Sequence, residues 1–229
     1  MTDIKNKKVL ITGATGGLGQ ALIARLKNER CKLYVTGRNK QKLIKLKKEY
    51  DVVDFVDGDL NDLEFTESIP SIFPDIDILI NNAGVFPLKN ILNSDVKDYE
   101  TCFNVNVRAP FILSTKYGAM MKSKSWGRIV NIGSSSAYNG DKDSGLYCAS
   151  KHAILGLSRS LFLELRGTGV RTYCISPGSM QTDMGKTDKR QDYSTFIKPD
   201  EIVDFIVYTI KFDSEMIPEE VRLNRMIDK

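Results

Sequence analysis

The sequence contains little of what metal centres, disulfide frameworks and membrane spans require. It has one histidine and four cysteines (Cys31, Cys102, Cys148 and Cys174), and no two cysteines form a C-x-x-C pair. A Cys/His metal site therefore has no ligand set, and we expect no metal. No apolar run approaches the ~20 residues of a membrane-spanning helix. The N-terminal stretch MTDIKNKKV lacks the apolar core of a signal peptide, so we expect a cytoplasmic protein with reduced thiols and no membrane contact.

The charge of the chain argues against nucleic acid as a partner. The net charge of the 229 residues is only +4, with 41% hydrophobic and 27% charged residues, which is typical of a globular protein. The basic segment KQKLIKLKK is interpreted as the solvated face of one helix rather than a nucleic-acid-binding patch. The length suits one domain with a sizeable core, so we expect residues 1–229 to form a single domain.

Short apolar runs alternate with longer amphipathic stretches along the chain. The runs KKVLIT, CKLYVT, VVDFV, DILINN, GRIVNIGS and VRTYCIS predict strands, and EEVRL predicts a last edge strand. Between them we predict helices, including one long helical stretch over about 95–122 and another over about 147–166. This alternation predicts an α/β fold: a doubly wound, mostly parallel, Rossmann-like sheet that binds ligands at the carboxyl ends of its strands. The polar stretch at 178–198 is predicted to be a short, mobile substrate flap.

A glycine-rich loop, TGATGGLG, follows the first predicted strand directly. Its glycines allow a tight turn and a close approach of the backbone to a pyrophosphate, which the amino end of the next helix would attract. A merely tight strand-to-helix turn is the alternative, but one glycine would suffice for it. We therefore predict a dinucleotide phosphate site at Gly13, Thr15, Gly17, Leu18 and Gly19.

The end of the second predicted strand bears on the choice of cofactor. The strand ends in TGRN, which has Arg38 where an acidic residue would bind a ribose 2′-hydroxyl. Since a guanidinium can pair with a 2′-phosphate, Arg38 predicts a preference for NADP(H), with NAD(H) as the alternative. An arginine that is simply exposed in a loop remains the other interpretation of this residue.

Four motifs in this order resemble the short-chain dehydrogenase/reductase family over nearly the whole chain. They are TGATGGLG, NNAG at 81–84, YCASK at 147–151, and SPG at 176–178 with a threonine shortly after. The resemblance implies that further residues at the strand ends contact the adenine, the ribose and the nicotinamide carboxamide. These are Asp59 and Leu60, then Asn81, Ala83 and Gly84, and finally Pro177, Gly178 and Thr182. Capping of the following helix is an equally weighted interpretation of Asp59.

Tyr147 and Lys151 stand four residues apart, so a helix places them on one face. Carbonyl reduction needs a hydride and a proton, and a phenol has an ordinary pKa near 10. An ammonium ~4 Å away would favour the phenolate by about 4 kcal/mol, or roughly 3 pKa units, less a burial penalty. We therefore expect Lys151 to lower the pKa of Tyr147. Both residues are also expected to contact the cofactor, Lys151 through the nicotinamide ribose.

The resemblance implies two further catalytic residues. Ser134, in GRIVNIGSSS, aligns with the family's serine and would donate a hydrogen bond to the substrate oxygen. Its neighbours Ser135 and Ser136 remain alternatives from the residues alone. Asn106, in FNVNVRAP, aligns with the family's asparagine, which helps to hold a proton-relaying water.

These residues predict an NAD(P)H-dependent oxidoreductase that interconverts a carbonyl and a secondary alcohol, with tyrosine as general acid and base. The substrate would be a small molecule, and the resemblance implies a 3-oxoacyl-carrier-protein-reductase-like or carbonyl-reductase-like enzyme that forms a homodimer or homotetramer. The alternative is a catalytically silent dinucleotide-binding sensor or scaffold. A nucleotide-sugar epimerase or dehydratase shares the tyrosine–lysine spacing but usually carries a larger C-terminal domain, for which this chain has no room.

Overall fold

The computed structural model describes residues 1–227, whose strands form one seven-stranded sheet in the order β3-β2-β1-β4-β5-β6-β7. Every pairing between these strands is parallel. The predicted doubly wound α/β fold is therefore confirmed, and EEVRL does supply the last edge strand. The strands are β1 Lys8–Ile11, β2 Lys32–Gly37, β3 Asp54–Asp57, β4 Ile78–Asn81, β5 Gly127–Ile132, β6 Val170–Pro177 and β7 Glu220–Leu223.

Helices cover both faces of the sheet because successive strand residues point to opposite sides. In β1, Val9 and Ile11 pack into the layer that contains α1, α2 and α7, whereas Leu10 packs into the layer that contains α3, α5 and α6. No helix within residues 1–227 is both long enough and apolar enough to cross a membrane. The helices are α1 Gly17–Asn28, α2 Lys40–Tyr50, α3 Leu63–Ile72, α4 Val96–Phe103, α5 Ala109–Ser123, α6 Gly145–Leu165 and α7 Pro199–Ile210.

The long helix predicted over 95–122 is interrupted. It begins with a capping box, in which the side chains of Asp95 and Asp98 each accept from the other residue's backbone N–H. Between α4 and α5 the chain makes a π-helical turn at Asn104–Arg108. Such a turn accommodates an extra residue and is frequent at functional sites. Apolar periodicity did not predict it, because one extra residue in a turn hardly changes the apolar pattern of a long helix.

The sheet has its topological switch point at β1, whose neighbours β2 and β4 connect to opposite halves of the sheet. In doubly wound folds a crevice opens there, outside the carboxyl ends of the strands. The loops after β1, β4, β5 and β6 all meet at this edge, which places the glycine-rich loop beside the amino end of α6.

The segment at 178–198, predicted to be a flap, is held by contacts within itself and by bonds to the loop before α6 and to Arg225. Met180 and Ile197 form an isolated parallel bridge, and Phe196 is buried. The Arg190 guanidinium pairs with Asp188 within the segment and with Asp141 in the loop before α6. The predicted mobility of this flap stays a prediction.

Candidate active site

A cavity of about 750 Å³ lies at the carboxyl ends of the strands. It runs from the glycine-rich loop to the amino end of α6 and receives residues from segments far apart in sequence. The predicted site residues that line it are Gly13, Thr15, Gly17, Leu18, Gly19, Arg38, Asp59, Leu60, Ala83, Gly84, Ser134, Tyr147, Lys151, Pro177, Gly178 and Thr182. Asn81 and Asn106 do not line it.

The glycine-rich loop forms a cradle that side chains would fill. Gly13 has φ of +65°, and a Cβ there would lie 2.7 Å from the Ala83 Cα. A Cβ on Gly17 would lie 2.8 Å from the Thr182 Cγ2. The first turn of α1 has neither a side-chain cap nor an acidic residue, so its N–H groups and positive dipole end are free to meet an anion. These residues fit the pyrophosphate of a dinucleotide.

Asn82 holds this loop against the end of β4. Its Nδ2 donates to the carbonyl oxygens of Thr12, at 2.9 Å, and Gly13, at 3.1 Å. In return the Thr12 Oγ1 accepts from the backbone N–H groups of Asn82 and Ala83. The NNAG motif therefore fixes the shape of the phosphate cradle through side-chain and backbone bonds together.

Asn81 lies behind the cavity wall and acts within the core. Its Nδ2 donates to the Oγ of Ser114, at 3.0 Å, and to the Oδ1 of Asn131, at 2.8 Å. The Nδ2 of Asn131 then donates to the Oγ of Ser158 on α6, at 2.9 Å. This buried chain joins β4, β5, α5 and α6. The sequence reasoning overlooked Asn131 and Ser158, although a polar residue in an apolar strand was a usable signal.

The opposite end of the cavity contains Arg38, whose exposed guanidinium makes no hydrogen bond or ion pair with residues 1–227. The nearby acids are engaged. Asp57 pairs with Lys40 at 3.5 Å, and the Asp59 carboxylate accepts from the Asn61 N–H at 2.9 Å. Asp62, not Asp59, caps α3, so the interpretation of Asp59 as a helix cap is wrong.

Helix α6 carries Tyr147 and Lys151 one turn apart on the cavity wall. The edge of the Phe86 ring packs against the Tyr147 ring, with centroids 4.7 Å apart and planes at 80°. Lys151 is buried, and its Nζ donates to the Ile132 carbonyl oxygen at 2.8 Å. The same Nζ lies 5.5 Å from the centroid of the Tyr147 ring. Buried Ser134 completes this group at the end of β5.

Burial controls the proton affinities of this pair. Desolvation raises the pKa of Tyr147 to about 12, and the Ser134 hydroxyl beside the phenol opposes that rise. Desolvation also lowers the pKa of Lys151 to about 8. The expectation of a lowered pKa for Tyr147 is therefore wrong for the chain by itself, because desolvation outweighs the hydrogen bond with Ser134.

Asn106 occupies the π-helical turn and clips the loop after β4 to α6. Its Oδ1 accepts from the Val85 N–H at 2.8 Å, and its Nδ2 donates to the Val85 carbonyl and to the Ser150 Oγ, each at 3.0 Å. A Cβ on Gly84 would lie 3.4 Å from this Oδ1 and 3.9 Å from the Lys151 Nζ. The Asn106 Oδ1 and the lysine amine thus lie close to the same point beside Gly84.

The comparisons with known proteins agree with this geometry. The family model of short chain dehydrogenases matches residues 7–193. A 3-oxoacyl-[acyl-carrier-protein] reductase of Rickettsia typhi is 30% identical over 224 residues, which cover 96% of this chain and 88% of that relative. A solved 4-hydroxyisoleucine dehydrogenase complexed with NADH is 28% identical, with a TM-score of 0.83, and the match covers 96% of this chain and 98% of that one. A short-chain dehydrogenase from Sphingobium yanoikuyae in complex with NADPH is 25% identical, with a TM-score of 0.82 and coverage of 95% and 87%. The chain therefore belongs to the short chain dehydrogenase family.

Proposed function

We propose that this protein interconverts a carbonyl and a secondary alcohol by NAD(P)H-dependent hydride transfer, with Tyr147 as general acid and base. The observation that carries the proposal is the convergence of Ser134, Tyr147 and Lys151 on the cavity that contains the phosphate cradle. The names of the relatives support it, since they are a reductase and two dehydrogenases, and two are complexes with NADH and NADPH. Nothing in the comparisons favours a silent sensor or scaffold.

A bound nicotinamide dinucleotide would supply or accept the hydride. The glycine-rich loop would hold its pyrophosphate, Asp59 and Leu60 its adenine, and Ala83 and Gly84 its ribose. Pro177, Gly178 and Thr182 would hold its carboxamide. The cradle at Gly13 and Gly17 supports this assignment, because any side chain at either position would collide with a neighbouring segment.

The protein's own side chains would donate the proton and stabilise the charges that its transfer creates. Ser134 would donate a hydrogen bond to the substrate oxygen and stabilise the negative charge that develops there. The raised pKa of Tyr147 keeps its phenol protonated near neutral pH, which is the form that reduction needs from a general acid. After the proton has left, the buried ammonium of Lys151 would stabilise the phenolate.

Lys151 would return the proton to Tyr147, and Asn106 would help to hold a water that relays protons between the lysine and solvent. With a pKa of about 8, the lysine amine can release and regain a proton close to neutral pH. The position of Asn106 supports this role, because its Oδ1 and the Lys151 Nζ lie 3.4 and 3.9 Å from the point where a Cβ on Gly84 would stand. Its side-chain bonds to Val85 and Ser150 also hold α6 against the loop after β4.

The decisive experiment compares Tyr147→Phe with the wild type on a panel of ketones, quinones and 3-oxoacyl thioesters, followed by nicotinamide absorbance. The 3-oxoacyl thioesters are the leading class, because the Rickettsia typhi relative is named for such a substrate. Loss of the phenol should lower kcat by about 10²- to 10⁴-fold while cofactor binding, measured by fluorescence, persists. The matched control is Tyr208→Phe, which removes an exposed hydroxyl on α7. Full kcat in Tyr147→Phe would contradict the proposal.

The finer proposal on the cofactor is a preference for NADP(H). The Arg38 guanidinium at the cavity wall supports it, since it has no partner among residues 1–227, and Asp57 pairs with Lys40 rather than with Arg38. KM for NADPH should be lower than KM for NADH, and Arg38→Gln should bring the two values together. Equal KM values in the wild type would count against this preference.

We also propose that the chain forms a homodimer or homotetramer through α4, α5 and α6. Exposed apolar side chains on these helices support the proposal: Val96, Tyr99, Phe111 and Leu163. Large apolar side chains that recur on neighbouring helices favour an interface. Light scattering coupled to gel filtration at micromolar concentration tests it, and a strict monomer would dispose of it.

A further inference from the structure

The carboxyl end of β7 contributes to the cavity wall through Arg222, and Asn224 and Arg225 follow it there. In the sheet register Arg222 stands beside Ser176 of β6, one residue before Pro177 and Gly178. The Arg222 backbone therefore adjoins the segment that is proposed to hold the nicotinamide carboxamide. None of the residues assigned a catalytic or cofactor role above comes from β7.

The Arg222 side chain contacts an aromatic ring, but no acidic side chain among residues 1–227 neutralises its charge. Its guanidinium carbon lies 5.0 Å from the centroid of the Tyr138 ring, within the range of a cation–π contact. It makes no hydrogen bond and no ion pair with residues 1–227, and it is exposed. An aromatic face limits the orientations of the guanidinium while all of its N–H donors stay available.

The acids nearest to Arg222 are engaged by other arginines. Glu220 shares its face of β7, and Arg159 grips this carboxylate with two hydrogen bonds of 2.7 and 2.9 Å. The Tyr138 hydroxyl donates to the same carboxylate at 3.0 Å. Glu220 thus accepts three hydrogen bonds, none of them from Arg222.

The carboxylates that line the cavity on this side are paired as well. Arg190 holds Asp188 at 2.7 Å and Asp141 at 3.3 Å. A salt bridge satisfies each acid, whereas the charge of Arg222 has no counterpart among residues 1–227. The cavity wall therefore has a cation at the carboxyl end of β7 that no acid among residues 1–227 neutralises.

We propose that Arg222 is a specificity-determining residue, which binds an anionic group, a carboxylate or a phosphate, on the carbonyl substrate. The inference rests on the proposed function and names a substrate class for the same site. A guanidinium matches both oxyanions through paired N–H donors, and such charge-assisted bonds are strong and directional. The pairing of Glu220 with Arg159 keeps Arg222 available for this task.

The test uses oxo acids of increasing chain length, each against its own methyl ester, and dihydroxyacetone phosphate against dihydroxyacetone. Binding of each compound to the NADP⁺-loaded protein is measured by calorimetry, and KM and kcat are measured with NADPH. For at least one pair the anion should bind on the order of 10-fold more tightly than its neutral partner. The two arms distinguish a carboxylate from a phosphate.

Arg222→Gln should abolish this discrimination by raising Kd and KM for the anion, with a much smaller effect on kcat. Arg166→Gln is the matched control, because Arg166 is exposed at the end of α6, away from the cavity. Discrimination that survives in Arg222→Gln, or is absent from the wild type at every chain length, would overturn the inference. Charge-dependent binding without any turnover would contradict the proposed function instead.

Discussion

Strand β5 has a buried cation at each end, and the two are satisfied very differently. At its start, Arg128 donates to the carbonyl oxygens of Ile210 and Gly127 and pairs with Asp213 at 2.6 Å. At its end, the carbonyl of Ile132 is the acceptor for Lys151, and no carboxylate pairs with that amine among residues 1–227. The first cation is locked into the fold, whereas the second keeps unused donors at the cavity.

The difference separates stability from chemistry. A buried charge with many partners can hold segments together, and Arg128 joins β5 to the end of α7. Desolvation lowers the pKa of both cations, but a guanidinium keeps its proton in proteins whereas an amine can lose it. The lowered pKa of Lys151, about 8, is what suits the amine to proton transfer.

The largest expected effect comes from removing the poorly satisfied cation. Lys151→Met should lower kcat by about 10²- to 10⁴-fold, because the phenolate of Tyr147 loses its stabilising charge. The free energy of unfolding at pH 7 should be unchanged or higher, since a desolvated ammonium is replaced by an apolar side chain. Steady-state kinetics and urea titration measure the two quantities. A Lys151→Met variant that stays active but is strongly destabilised would contradict this prediction, because it would show that Lys151 contributes to stability rather than to catalysis.

Removing the well-satisfied cation should have the next largest effect, and it should change stability rather than activity. Arg128→Met should lower the free energy of unfolding by about 2–4 kcal/mol, because it leaves buried carbonyl oxygens without donors. Its kcat should stay close to that of the wild type, since Arg128 lies at the amino end of β5, away from the cavity. Urea titration is the measurement, with the exposed Arg166→Met as control. A stability loss equal to that of the control would mean that the Arg128 network contributes nothing.

The smallest expected effect is a pH dependence of the free energy of unfolding, which Lys151 should produce and Arg128 should not. The pKa of Lys151 is about 8 in the folded chain against an ordinary 10.5. The unfolded chain therefore binds more protons between these values, and stability increases as pH rises through this window. From pH 8 to 10 the wild type should gain about 2–3 kcal/mol relative to Lys151→Met. Arg128 keeps its proton throughout this range, so Arg128→Met should retain the gain.

Urea titrations of the three proteins across this window provide the measurement. They should stop near pH 10, because the raised pKa of Tyr147 then begins to act in the opposite sense. Parallel stability curves for the wild type and Lys151→Met would show that the amine titrates as an exposed lysine does.

The sequence predicted the elements of the fold, and most of the site residues that it singled out line the cavity, because both depend on local patterns. Apolar runs predicted every strand of the sheet, and TGATGGLG predicted the cradle at Gly13 and Gly17. Local patterns failed where distant segments decide the outcome. The Asn106 side chain, in the π-helical turn, bonds to Val85 and Ser150, which are distant in sequence. Asp59 was not distinguishable from Asp62 as a helix cap.

What the sequence determined by itself is the order of strands and helices, the loop for a pyrophosphate, and the spacing that puts Tyr147 and Lys151 on one helix face. Backbone propensity and periodicity act over a few residues, so both can be recognised in the sequence alone. The tertiary structure alone decided that burial raises the pKa of Tyr147 and lowers that of Lys151. It alone brought Asp213 to Arg128 and left Arg222 without a carboxylate partner among residues 1–227. The reason is physical: desolvation and ion pairing depend on every group packed around a charge, and those groups come from segments far apart in sequence.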